Sequence, residues 1–161
     1  MQDMAKILKM DNLHILQSIL SGDKNLLNWQ DEDGNNLLIV GFNLNLSDEI
    51  IGHLIKHIDF NLTNSLGISP FSISIRKGRK NWVEYMIQNG VDLNHTERES
   101  GFTPIMESIT SNREDILRVL LENGGDIRVK DKFGFSALDF ATRMKKRELL
   151  KILVEFQASE K

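Results

Sequence analysis

The 161-residue chain contains no cysteine and only two prolines, one tyrosine and two tryptophans. Without thiols it can form neither disulfides nor thiolate metal sites. No apolar run approaches the roughly 20 residues that span a bilayer; the longest, Leu37 to Phe42, falls far short. The opening Met1-Gln-Asp-Met-Ala-Lys leads into a polar amphipathic stretch and lacks the apolar centre of a secretory signal. The formal charge of −3 is too small to signal nucleic-acid or membrane binding. These absences predict a cytoplasmic chain whose partners include neither membrane nor nucleic acid. The charge is uneven, however. Residues 1–63 hold nine acids against four bases, whereas residues 64–161 hold fourteen acids against sixteen bases.

What is present is a period. Gly34, Gly67, Gly101 and Gly134 stand 33, 34 and 33 residues apart. The same wording surrounds each: Asp31-Glu-Asp-Gly-Asn-Asn-Leu-Leu38, Asn64-Ser-Leu-Gly-Ile-Ser-Pro-Phe71, Arg98-Glu-Ser-Gly-Phe-Thr-Pro-Ile105 and Asp131-Lys-Phe-Gly-Phe-Ser-Ala-Leu138. Each reads as a tight turn at a glycine; in three of the four a Ser or Thr then caps a helix, and in two of those Pro opens it. Seven residues after each glycine comes a small side chain (Gly41, Ser74, Ser108, Ala141), which lets helices approach closely. Sixteen residues after it comes an aliphatic one (Ile50, Val83, Leu117, Leu150), with a second aliphatic cluster a turn later. These are helical spacings, so every unit carries a second helix with one buried face. In the segment 34–66 that helix is shifted by about one position. Asn89-Gly90 and Asn123-Gly124 supply left-handed helix exits.

These residues resemble the ankyrin repeat, a β-turn finger followed by two antiparallel helices. The resemblance implies an all-α fold, an ankyrin-repeat solenoid of stacked antiparallel helix pairs with β-turn fingers. One domain over 1–161 is expected: a capping helix pair at 1–30, repeats at 31–63, 64–97 and 98–130, and a closing capping repeat at 131–161. The closing unit mixes Lys145, Lys146, Arg147, Glu148, Lys151 and Glu155 among its apolar residues, which keeps an outer face wet. The family places a finger-bonding His two residues after the Pro. Here those positions are Ile39, Ser72, Met106 and Asp139, so a thinner finger network is expected.

Nothing in the chain points to catalysis. His14, His53, His57 and His95 lie outside any recognisable motif, and a triad needs nucleophile, base and acid to converge. Asp31 with Asp33, and Glu114 with Asp115, are expected in water, where no burial separates their pKa values. No catalytic residue, cofactor or metal is therefore predicted. His53 and His57 have the i, i+4 spacing of a chelating pair but no third ligand is indicated, and there is no Glu between them. With the basic stretches Arg76-Lys77-Gly-Arg79-Lys80 and Lys145-Lys146-Arg147 they support the alternative reading of a small-ligand or metal binder. Trp82 and Tyr85 fall at core registers, and Trp29 is expected to be partly exposed. Ser108 is expected at a close-packed register and Ser111 open to solvent.

By the family resemblance, residues flanking each turn glycine and ending each inner helix face the groove. They are Asp31, Glu32, Asp33 and Asn35 at the first finger, then Leu66, Ile68, Phe102, Phe133 and Phe135, with Arg76, Lys77, Arg143 and Met144 from the helix ends. A turn has no structural need for Leu, Ile or three Phe, and exposing them costs solubility. The leading expectation is a monomeric protein-binding module working through this concave finger and inner-helix face. It reads as a stand-alone inhibitor, immunity-type protein or adaptor. Its acidic end suits a basic enzyme or toxin, and its Ile-, Lys- and Asn-rich wording hints at an AT-rich, bacterial genome.

Overall fold

Each finger glycine is followed three residues later by the first residue of an inner helix, and this spacing organises the computed structural model. The structure describes residues 4–94, 96 and 98–159; His95 and the connector residue Glu97 lie outside these, as do the first three residues and the last two. Ten α-helices follow one another among the described residues: α1 Met4–Leu8, α2 Leu13–Gly22, α3 Leu37–Asn43, α4 Asp48–Leu54, α5 Pro70–Lys77, α6 Lys80–Gln88, α7 Pro104–Thr110, α8 Glu114–Glu122, α9 Ala137–Arg143 and α10 Arg147–Ser159. A 3-10 turn, Lys24–Asn28, follows α2. No strand is formed among them; a lone antiparallel bridge joins Gln30 to Asn36. The fold class is thus all-α, as expected. None of these helices is long and apolar enough to cross a membrane.

Every inner helix from α3 onward begins at a side-chain cap two residues beyond its glycine. Ser69, Thr103 and Ser136 were legible as caps, and Asn36 does the same work: its Oδ1 accepts the Ile39 N–H at 2.9 Å. An Asn cap contributes about 1 kcal/mol, as Ser or Thr does. The family's histidine position has been put to a related use in two units. Asp139 accepts from the Ser136 N–H and hydroxyl at 2.7 and 2.6 Å, and Met106 Sδ lies 3.5 Å from the Thr103 N–H.

The turns between paired helices share a second device. Asn45, Gly78, Asn112 and Lys145, each eleven residues past a finger glycine, have φ of 55°, 71°, 57° and 55°. That left-handed conformation reverses the chain in one residue. It suits Gly and is tolerated by Asn, but for Lys it costs about 1–2 kcal/mol. α4 begins one residue later, relative to its glycine, than α6, α8 and α10 do, which matches the expected shift.

The chain parts into two compact units, Met1–Ile73 and Ser74–Lys161, the division running through α5. In the first, α1 packs on α3 and α2 on α4, burying Leu16, Leu37, Leu38, Ile39, Phe42, Ile51 and Leu54. Gly41 is needed there, since a Cβ would come within 3.0 Å of Ile51 Cδ1. In the second, α7 packs on α9 and α8 on both α6 and α10. Ser74, Ser108 and Ala141 are fully buried, as their small size predicts.

Four details differ from expectation. Leu150 is only half-buried while Leu149 takes the core place, because α10 has α8 and α9 as neighbours where α8 has α6, α7 and α10. Trp82 and Tyr85 are half-buried, stacked edge-on at 5.8 Å between centroids. Large rings with a polar edge fit a margin better than the small aliphatic slot that Ile116 and Val119 fill in α8. Ser111 is half-buried, its hydroxyl 3.5 Å from Glu107. Asp31, expected in water, is half-buried for the reason given next.

Candidate functional site

A finger must hold a chain reversal whose central amides have no helix or sheet to bond. Three of the four fingers solve this with one side chain at the turn's first position. Asp31 Oδ1 accepts the N–H groups of Asp33 and Asn35 at 3.0 and 2.8 Å. Asn64 Oδ1 accepts those of Leu66 and Ile68, both at 3.0 Å, and Asp131 Oδ1 those of Phe133 and Phe135 at 2.9 and 2.8 Å. An Asp or Asn carbonyl oxygen bonding amides two and four residues on is a side-chain mimic of a turn. In these three fingers the bonds come from the turn's first residue and not from the position where the family has histidine. The remaining finger starts at Arg98, which is occupied elsewhere.

In the first unit the fingers 31–36 and 64–69 are joined. Ser65 N–H donates to the Asp33 carbonyl at 3.0 Å, and Asn64 Nδ2 donates to Asn35 Oδ1 at 2.8 Å. Gly34 lies at this joint with φ 78°; a Cβ would come within 2.8 Å of Ser65 Oγ. Asn35 also donates to Asp31 Oδ2 at 2.9 Å. The side chains of Asp31 and Asn35 thus bond within the fingers, Ile68 is half-buried, and Glu32, Asp33 and Leu66 point outward. Leu66 is 70% exposed.

In the second unit the structure gathers residues that sequence reading treated singly. Phe102 and Phe135 both meet Phe140 of α9 edge-on, at 5.4 and 6.3 Å. Arg143 lays its guanidinium 3.7 Å from the Phe135 centroid, and Arg98 stands 5.4 Å from that of Phe102. Phe140 drew no expectation from the sequence, because it lies outside the finger and helix-end positions that the resemblance marks. Phe133 is different: it is 67% exposed, touched by the Lys132 ammonium at 5.3 Å. Met144 beyond α9 is 41% exposed, and Lys77 is half-buried. Lys132 N–H donates to the Ser100 carbonyl at 2.8 Å, repeating between these fingers the joint seen between the first two.

Behind the fingers of this unit lies a buried charge that the sequence did not announce. Glu107 of α7 is 3% exposed and pairs with Arg98 at 2.7 Å and Arg76 at 3.1 Å. Arg113 in turn donates to the Arg76 carbonyl at 2.8 Å. Arg76, read as a groove residue, thus has its guanidinium tied inward. Among the described residues no three His, Cys, Asp or Glu stand close enough to hold a metal.

Known proteins share this pattern. Residues 37–131 and 96–161 match the family described as Ankyrin repeats (3 copies). Ankyrin repeat and SAM domain-containing protein 6 of Rattus norvegicus is 27% identical over 97 residues, 60% of this chain and 11% of that protein. Inhibitor of Bruton tyrosine kinase of Homo sapiens is 38% identical over 66 residues, 41% of this chain and 5% of that protein. A putative ankyrin repeat protein of Borreliella burgdorferi is 30% identical over 112 residues, 70% of this chain and half of that protein. The chain thus spans half or less of the length of these relatives. With its capped helix pairs and its fingers at a period of 33–34 residues, the chain belongs to the ankyrin-repeat family.

Proposed function

We propose that the chain binds another protein through its finger tips and acts by occupying a surface of that partner. Ankyrin repeats in general mediate contacts between proteins. The observation that carries the reading here is Leu66 and Phe133, held out at 70% and 67% exposure on turns whose backbones are pinned from below. A rigid turn loses little entropy on binding, and an aromatic anchor that becomes desolvated commonly contributes about 2 kcal/mol or more. Around them Glu32 and Asp33 offer negative charge in the first unit, and Lys132 and Arg143 positive charge in the second. Such charges favour a partner with matching basic and acidic patches beside apolar pockets, a basic enzyme or toxin among them. The reading extends to an inhibitor, immunity-type or adaptor role; one relative bears the name of a kinase inhibitor.

The test is site-specific photo-crosslinking in the native host, with a benzophenone amino acid at position 66, 133 or, as control, the exposed outer-helix position 88. One protein captured from 66 and 133, absent from 88 and displaced by excess unlabelled chain, is the expected result. Equal labelling from all three positions overturns the proposal.

A further inference from the structure

A second candidate site lies in the first unit, away from the fingers. Between α2, the 3-10 turn and α4 is a recess of about 450 Å³. That volume falls among sites for small ligands, roughly 300–1,000 Å³. Leu20 and Leu27 supply an apolar floor, and Gln17, Ser21, Lys24, His53 and His57 its polar lining. The two imidazoles stand 5.0 Å apart between centroids. Among the described residues no carboxylate belongs to the lining, and the ionisable groups that do are all bases.

α2 carries only His14, and α3, packed against α4, carries no titratable side chain. Beside Lys24 stands Asp23, whose carboxylate caps the 3-10 turn through the Asn25 N–H. α4 opens with Asp48 and Glu49 and is followed by Lys56 and His57. His53 is held below the usual histidine value by burial first, then by the positive charges of His57 and Lys56.

We infer that this recess binds a small organic anion, a carboxylate on an apolar body of about benzoate size, with its charge between Lys24 and the His53–His57 pair and its hydrocarbon on Leu20 and Leu27. An anion there relieves the repulsion among the bases and favours the imidazolium forms, so binding takes up protons. A divalent metal fits less well. Two imidazoles leave it short of a third protein ligand among the described residues, and Lys24 repels it. The inference is independent of the finger reading, since no lining residue belongs to a finger.

The experiment is a benzoate titration of the full chain, followed through the histidine Cε1–H resonances at about pH 5.5 and 7.5, on either side of the histidine range. Benzyl alcohol, the uncharged analogue, and Zn²⁺ are run alongside. Binding tightens by about fivefold or more at the lower pH, the effect of one unit charge at contact distance in water, and benzoate moves the His53 midpoint upward. Lys24→Gln weakens binding, and His53→Gln with His57→Gln flattens its pH dependence, both without changing thermal unfolding. Equal binding of benzyl alcohol, no response of either imidazole, or a response to Zn²⁺ but not to benzoate overturns the inference.

Discussion

Arg98 Nη2 donates to Glu107 Oε2 at 2.7 Å, joining a finger to the buried face of the inner helix behind it. Burial on its own pushes the Glu107 carboxyl up. The Arg76 hydrogen bond and the charges of Arg98 and Arg76 outweigh that, and hold it below the usual carboxylate value. A folded value below the unfolded one means the contribution to stability is complete above the unfolded value and disappears as pH falls through the folded one.

Glu107→Gln is therefore expected to cost about 3 kcal/mol at neutral pH, the lower end for breaking a buried pair. The lower end applies because the Arg76 side chain is 42% exposed and can turn to water. In urea unfolding the gap between the two proteins should narrow as pH falls below about 4. A gap unchanged between neutral and strongly acid pH would show that the carboxylate charge does not hold Arg98.

Lys145 and Gly78 occupy equivalent left-handed turn positions with unequal comfort. Lys145→Gly should raise stability by about 0.5–1 kcal/mol, the relief of strain less the added freedom of the unfolded chain. Gly78→Lys should lower it by more than about 1 kcal/mol, as its Cβ would also meet the Arg113 guanidinium at 2.9 Å. Thermal unfolding of both variants decides; equal midpoints for either variant and the parent would contradict the assignment.

Asp131 tests the finger clamp. Asp131→Asn keeps the accepting oxygen, as Asn64 does natively, and should cost little. Asp131→Ala leaves the Phe133 and Phe135 amides without their acceptor, at about 1–3 kcal/mol. Amide hydrogen exchange at those two residues should accelerate in the Ala variant and not in the Asn variant.

Two finger phenylalanines, Phe133 and Phe135, should separate by role. Phe133→Ser is expected to change stability by less than about 0.5 kcal/mol, like other exposed substitutions, and to abolish capture of the crosslinked partner. Phe135→Ser removes a ring from the Arg143 and Phe140 stack and should cost about 2 kcal/mol, less than for a fully buried ring. Glu32→Gln with Asp33→Asn should slow association and weaken its salt dependence. Circular dichroism, denaturation and a binding isotherm on each variant make the comparison.

The repeat was legible because three registers agree: the finger glycines, the small residues at Gly41, Ser74, Ser108 and Ala141, and the aliphatic ones of the outer helices. These follow from steric needs that hold in every unit. The finger chemistry was less legible. Asp31 and Asp131 look like surface acids in sequence, and only the position of the turn shows that their oxygens face its amides. Glu107 was invisible for a related reason: its partners lie 31 residues before it and 9 before it, in different elements. The left-handed turns at Asn45 and Asn112 were open to recognition from residue type, but Lys145 carries no such signal. Phe140 lies outside the finger and helix-end positions that the resemblance marks, and periodicity reports which face a residue takes, not which rings it meets.

In each Asx finger the clamping Oδ1 accepts from backbone N–H groups of the flanking residues: 33 and 35, 66 and 68, 133 and 135. Any residue except proline offers that same group. The turn's framework is thus indifferent to which side chains it displays, and Asp33, Leu66 and Phe133 are interchangeable as far as the clamp is concerned. Recognition can be rewritten at these tips without rebuilding the loop that carries them.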